Sequence, residues 1–214
     1  MKKIIGILTT FISVVGLIAT CKQPAKEIAS TAREFVALAE DVKRLIQSFT
    51  SENDKFASDV EEVIQTAQEG LKEFKTQQIA SFWEKYWTEI EEKQHKLEVS
   101  LAGVEAKSNL YFQELNNNNA QIKDNKLKEA DRIKNQNSYQ KWILEYKKAQ
   151  NAVLNAKMMV EKGKDYKWIL RNDATRDVIL NITTNELPQL SLQANKIKSD
   201  IKLFETNVTK ILNQ

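Results

Sequence analysis

The sequence predicts an all-α protein, an antiparallel bundle of four helices in which two long central helices form a protruding hairpin. Only five glycines and two prolines occur in 214 residues, and both residue types disfavour helix interiors. Beyond residue 25, apolar residues recur at intervals of three and four, as in an amphipathic helix. Four asparagines at 116–119 interrupt this pattern near the middle of the chain, and asparagine tolerates turn conformations. The chain therefore divides into two helical halves around one turn.

The first predicted helix covers residues 25–50. Its apolar stripe has members seven residues apart, namely Ile28, Phe35, Val42 and Phe49. The segment that follows, TSEND, offers Thr50, Ser51 and Asp54 as turn and N-cap residues, with acids that favour a helix start. We therefore expect a break near Thr50 and a second helix from about Ser51.

The two central helices are predicted over residues 52–115 and from about 120 to 187. An unbroken helix of the first length would be a rod of roughly 95 Å, at about 1.5 Å per residue. Pro188 marks the next boundary, because proline disfavours helix at the residue before it, and a last helix follows. The asparagines would then lie at the far tip of the hairpin, away from a four-helix base. A compact bundle with breaks near Gln78 and Gly163 is the alternative.

The first 20 residues are typical of a secretory signal peptide, with Lys2 and Lys3 before a short apolar run. The run is at or below the length of about 20 residues that a membrane-spanning helix needs. The segment Ile18-Ala19-Thr20-Cys21 resembles a bacterial lipobox, in which cleavage leaves a lipidated N-terminal cysteine. We therefore predict a signal peptide over 1–20, lipid attachment at Cys21, a short tether over 21–24 and a single helical-bundle domain over 25–214. An uncleaved signal anchor with a chance cysteine is the alternative.

Charge is distributed unevenly along the predicted mature chain. It holds 30 basic residues against 29 acidic ones once the two signal-peptide lysines are removed, and no nucleic-acid-binding motif is present. Residues 22–114 carry a net charge of −6 and residues 115–214 a net charge of +7. Pairing of acidic with basic helices is the simpler interpretation. The sharper one is a basic strip near the hairpin turn, which would bind a sulfated glycan or an acidic host protein. Its members are Lys123, Lys126, Lys128, Arg132, Lys134, Lys141, Lys147 and Lys148.

Searches for catalytic chemistry give little. The segment Glu92 to His95 has the Glu-x-x-His spacing of bundle di-iron sites, but those sites need two such motifs and His95 is the only histidine. We expect no metal, no cofactor, no small-molecule substrate and no enzymatic activity. The segment FWEKYW, residues 82–87, places Trp83 and Trp87 four residues apart. Core burial is the leading interpretation of these tryptophans, and an exposed aromatic patch for a partner is the alternative.

The chain resembles the helical surface lipoproteins of spirochaetes. The shared features are the relaxed lipobox LIATC, a mature chain rich in lysine and asparagine, and amphipathic helices almost free of glycine and proline. The resemblance implies a protein held by lipid on the bacterial outer membrane, displayed on the cell surface and engaged in adhesion or another host interaction. A periplasm-facing spacer or assembly factor is the second hypothesis.

Overall fold

The computed structural model describes residues 25–72, 76–176 and 186–213, and side chains over 33–71, 78–172 and 186–213. These residues form four α-helices and no strand. The helices are α1 (Ala25–Lys72, 48 residues), α2 (Thr76–Ala120, 45 residues), α3 (Asn125–Arg176, 52 residues) and α4 (Leu187–Leu212, 26 residues). The all-α prediction is confirmed. The predicted signal peptide and Cys21 lie outside the described residues.

The helices form an antiparallel four-helix bundle, as predicted. Helix α1 packs against α2 and α4, and α3 packs against the same two helices. The core is continuous along the bundle and includes aromatic side chains from every helix, among them Phe49, Trp83, Trp142 and Phe204. Burial of these apolar stripes is the main source of stability in such a bundle.

The predicted break near Thr50 is wrong, because α1 continues through this segment to Lys72. Its apolar stripe runs on from Phe49 to Phe56, and both rings are fully buried. Thr50 and Asn53 lie between them inside the core, where their polar side-chain atoms have no hydrogen-bond partner among the described residues. Each such group costs about 1–3 kcal/mol. The turn residues are therefore kept helical by the apolar residues on either side of them.

Helix α1 ends at Lys72 and α2 begins at Thr76, close to the alternative break near Gln78. The other alternative break is wrong, since Gly163 lies inside α3. A β-carbon on Gly163 would overlap the indole of Trp87 and would lie 2.6 Å from its Nε1 atom. Gly163 therefore allows two helices to approach closely instead of ending one of them.

The central turn comes slightly later than predicted. Helix α2 continues through the asparagines to Ala120, and residues 121–124 form the turn. Asp124 begins α3 as an N-cap, and its Oδ1 accepts the backbone N–H groups of Lys126 and Leu127, both at 2.9 Å. The side chain of Asn119 donates to the backbone oxygen of Lys128 at 2.8 Å and ties the two helices together.

The α2–α3 hairpin extends beyond the end of α4. Asn207 of α4 donates to Glu145 of α3 at 3.0 Å. From this contact α4 continues only to Leu212, whereas α3 extends back to Asn125, about 30 Å away. Helix α1 is longer than the predicted first helix. It also runs along the hairpin, where Phe35 stacks on Tyr111 with ring centroids 5.1 Å apart.

Candidate partner-binding surface

One half of the seam between α2 and α3 carries a regular ladder of opposite charges. Three glutamates of α2, seven residues apart, face three basic residues of α3 with the same spacing. The pairs are Glu84 with Arg171 at 2.6 Å, Glu91 with Lys164, and Glu98 with Lys157 at 3.4 Å. Equal heptad spacing on antiparallel helices brings each rung into register. The interpretation of the charge asymmetry as pairing between acidic and basic helices is confirmed for this half.

The ladder favours the charged form of Lys164. Glu91 and then Glu161 accept hydrogen bonds from the Lys164 ammonium group, and these bonds raise the pKa of Lys164. The next glutamate of the series, Glu105, faces Tyr146 instead of a base, and burial together with Glu105 raises the pKa of that phenol. The charge ladder therefore ends before the hairpin turn.

The predicted basic strip lies on α3 and the turn, beyond the ladder. Five of its lysines are exposed and form no ion pair with any described residue: Lys123, Lys126, Lys134, Lys141 and Lys147. The other three members have partners: Arg132 with Glu129 at 2.6 Å, Lys148 with Glu145 at 2.7 Å, and Lys128 with the backbone oxygen of Ala120 at 3.3 Å. Most of the strip is therefore available to another molecule.

Helix periodicity divides the strip into separate groups. At about 100° per residue, Lys134 and Lys141 lie towards the α4 side of α3, and Lys147 lies about 120° around the helix from Lys141. Arg132 lies on the opposite edge, towards α2. Lys123 lies in the turn itself. The strip consequently has a group at the turn, the pair Lys134 and Lys141 along the α4 side of α3, and Lys147 and Arg132 on other faces of the helix.

The acidic residues inside the strip are committed to local contacts. Asp131 accepts hydrogen bonds from Asn119 at 2.9 Å and Asn135 at 3.0 Å. Burial opposes ionisation of Glu145, but donors from Asn207 and Lys148 outweigh it and lower the pKa of this carboxyl. Both carboxylates contact neighbouring side chains, and neither forms an ion pair with any of the five exposed lysines. The lysines therefore create a local positive potential, which attracts anions.

A shallow depression of about 280 Å³ adjoins the strip where the ladder has ended. It lies across the α2–α3 seam and is lined by Phe112, Asn116, Arg132, Asn135, Gln136 and Tyr139. The Tyr139 ring is 39% exposed and packs edge-on against Phe112 at 5.1 Å. An exposed ring beside several amide groups can provide both an apolar contact and hydrogen bonds to a ligand.

Trp83 and Trp87 belong to the core, so the alternative of an exposed aromatic patch at these residues is wrong. Their rings stack with centroids 4.6 Å apart. Their indole N–H groups donate across the seam, Trp83 to the backbone oxygen of Gly163 at 2.8 Å and Trp87 to that of Val160 at 2.9 Å. Burial and hydrogen bonding together account for the two tryptophans of the segment 82–87.

The sequence analysis missed an exposed tryptophan at the other end of α3. Trp168 is 55% exposed, with the Lys167 ammonium 4.9 Å and the Arg171 guanidinium 5.4 Å from its ring. Its position two residues after the buried Tyr166 puts it about 200° around the helix from the core. That offset is the signal that could have identified it.

The described residues give no sign of a metal centre. Among them no three His, Cys, Asp or Glu side chains are placed to hold an ion. His95 is 73% exposed, and its Nδ1 lies 3.5 Å from Glu98. None of the described helices is long and apolar enough to span a bilayer.

No protein-family model matches the chain, and neither a curated protein nor a solved structure does. Any functional assignment therefore depends on the residues themselves.

Proposed function

We propose that this protein is a non-enzymatic binding protein, anchored by lipid at Cys21 to the bacterial outer membrane and displayed on the cell surface. The lipobox-like segment Ile18–Cys21 supports the anchor. Helix α1 begins at Ala25, four residues after this cysteine, so the anchor would hold the bundle close to the bilayer. The ligand is an anionic macromolecule, and its binding surface is the side of α3.

The observation that carries this proposal is the surplus of lysines beyond the charge ladder. The ladder uses Lys157, Lys164 and Arg171 of α3. Lys134, Lys141 and Lys147 have no such role and remain exposed. Lys134 and Lys141 are seven residues apart, which is about 10 Å along the helix. Two cations in line at this spacing suit a linear polyanion, and a sulfated glycan is the class of ligand we propose.

The ligand can be tested with a heparin column and the detergent-solubilised, lipidated protein. Replacing Lys134, Lys141 and Lys147 by glutamate should abolish retention or shift elution to much lower salt, because exposed charge pairs are screened by salt. Charge reversal at Lys96, Lys196 and Lys202 is the matched control, since these lysines are also exposed and form no ion pair with any described residue. Equal loss of retention in both variants would contradict a site on α3.

The anchor is tested separately. Mass spectrometry of the mature protein should find a diacylated or triacylated N-terminal Cys21, and Cys21→Ala should release the protein from membranes. An unmodified thiol on an intact leader would contradict the anchor. Protease treatment of intact cells then decides between surface display, in which the protein is digested, and a periplasm-facing spacer, in which it is protected.

A further inference from the structure

We propose that the hairpin-turn end of the bundle rests on the membrane and that the turn lysines contact anionic lipid headgroups. This inference rests on the lipid anchor of the proposed function. It gives the bundle one orientation, with the α2–α3 turn next to the bilayer and the opposite end directed away from it.

The first step is the topology of α1 and α2. Asp41 pairs with Lys107 at 3.0 Å, and Phe35 stacks on Tyr111. Ten residues before Phe35 is Ala25, where α1 begins, and ten residues after Tyr111 is Gln121, where the turn begins. Both helices rise about 1.5 Å per residue. The start of α1 and the hairpin turn are therefore at the same end of the bundle.

The second step is the reach of the chain. Ala25 is four residue steps after Cys21, and these four steps span at most about 14 Å even when fully extended. A lipid on Cys21 therefore keeps the start of α1 within about 14 Å of the headgroups. Because the turn is level with that point, it is confined to the same layer.

The third step is the chemistry of the turn. Residues 121–128 contain Lys123, Lys126 and Lys128 but only one acid, Asp124. The carboxylate of Asp124 accepts two backbone N–H groups of α3. Leu127, next to these lysines, is 53% exposed. Cations beside an exposed aliphatic side chain match the headgroup region of an anionic bilayer, where each lysine strengthens binding about fivefold.

This orientation leaves the rest of the surface free for other ligands. Lys134 lies about 14 Å along α3 from Asn125, and Lys147 about 33 Å. The exposed Trp168 lies farther along the same helix. The turn lysines and the lysines along α3 therefore have different partners, the bilayer and the soluble polyanion.

The test uses lipidated protein in anionic vesicles that carry a headgroup quencher. A fluorophore is attached through Asn125→Cys at the turn or through Ser81→Cys near the opposite end; both positions are exposed. We expect quenching to be several-fold stronger at residue 125 than at residue 81. Equal quenching, or stronger quenching at residue 81, would overturn the orientation.

The lysine contact has its own measurement. Lys123→Gln with Lys126→Gln, or vesicles of neutral lipid, should bring the two quenching values closer together, whereas Lys134→Gln with Lys141→Gln should not. A ratio that is insensitive to both changes rules out the headgroup contact. Mass spectrometry of the same samples separates the proposals: an unmodified Cys21 refutes the anchor, and a lipidated Cys21 without preferential quenching at residue 125 refutes this inference alone.

Discussion

The two halves of the α2–α3 seam solve the same packing problem by different means. From Glu84 to Glu105, the half that we call the ladder half, glutamates of α2 face mainly basic residues of α3, and Trp83 and Trp87 donate across the seam. In the turn half, beyond Glu105, aromatic rings pack against each other, and the amides of Asn119 and Asn135 both donate to the carboxylate of Asp131. Helix α4 covers only the ladder half and the adjoining residues of α3.

The difference shows how charge is divided between structure and binding. In the ladder half four bases of α3 pair with glutamates of α2 and set the register of the two helices: Lys157, Lys164, Lys167 and Arg171. In the turn half hydrogen-bonded amides hold the helices together, so the lysines there are not needed for pairing. A reader of the sequence alone sees a single excess of positive charge, whereas the structure separates paired bases from exposed ones.

The largest loss of stability is expected at Gly163 in the ladder half, where α2 and α3 approach each other closely. Gly163→Ala should destabilise the protein by about 2 kcal/mol, because its β-carbon would overlap the buried Trp87 indole and overpacking typically costs 1–3 kcal/mol. Gly103→Ala is the control, since a β-carbon there meets nothing within 4 Å. This control should gain up to about 1 kcal/mol from helix propensity. Urea unfolding measures both.

A double-mutant cycle identifies the cause. If the indole is the obstacle, Trp87→Phe should make Gly163→Ala less costly by about 1 kcal/mol or more. Additive effects of the two substitutions would show that Gly163 is needed for a reason other than the approach of Trp87.

The turn half should be most sensitive at its amide cluster. Asn119→Leu removes donors to Lys128 and Asp131 and leaves a partly buried carboxylate with one partner fewer. We expect a loss of about 1–2 kcal/mol. The exposed Asn117, which bonds only to Glu114 at 3.2 Å among described contacts, is the matched position, and Asn117→Leu should change stability by less than about 0.5 kcal/mol. Equal losses at the two positions would contradict a specific role of the cluster.

These residues also show what the sequence could and could not predict. Periodicity and scarce glycine were enough for the fold class and for the last helix, which begins at Leu187 with Pro188 in its first turn. Local turn signals failed at Thr50, Ser51 and Asp54, because the apolar stripe on both sides continues and overrides them. The break considered at Gly163 was wrong for the opposite reason. The role of this glycine depends on Trp87, which is 76 residues away in the chain.

The binding surface was predicted only in part. The basic strip is visible in the sequence, but its division into paired and exposed residues depends on which helix faces which. Trp83 and Trp168 illustrate the same limit. Both are tryptophans in amphipathic segments of the sequence, yet Trp83 is fully buried and Trp168 is 55% exposed. Burial of a side chain is a property of the packed bundle, and a single helix does not determine it.

Reversing one rung of the ladder should have a smaller effect than the two changes above. Glu91→Lys places a cation next to Lys164, and Lys164→Glu places an anion next to Glu91. Each single change should cost about 0.5–1 kcal/mol, since pairs of this exposure contribute little. The double exchange should recover most of that loss, which denaturant unfolding would detect as a coupling energy. If the double exchange recovers none of the loss, the Glu91–Lys164 pair contributes nothing measurable to the free energy of unfolding.

Acid should cause the smallest and most gradual loss of stability. It should act at α4, the helix that covers the ladder half but not the turn half. Helix α4 is held near its start by Glu186 and near its end by Glu145, and both carboxyls have a pKa below the ordinary value of 4.5. The Lys162 ammonium and then Tyr166 cause the shift at Glu186; at Glu145, burial opposes ionisation, but Asn207 and Lys148 outweigh it. A depressed pKa means that the folded state binds the proton less readily than the unfolded chain.

The contribution of these carboxylates to stability is therefore fully present well above pH 4.5, and it is lost as the pH falls through their folded-state pKa values. Glu145→Gln and Glu186→Gln should each lower stability near neutral pH and flatten the acid limb of the pH profile. Their difference from the natural chain should disappear once the pH is well below the folded-state pKa values of both carboxyls. Urea midpoints measured across this range check the prediction, and an acid limb as steep as that of the natural chain would show that α4 is held by apolar packing alone.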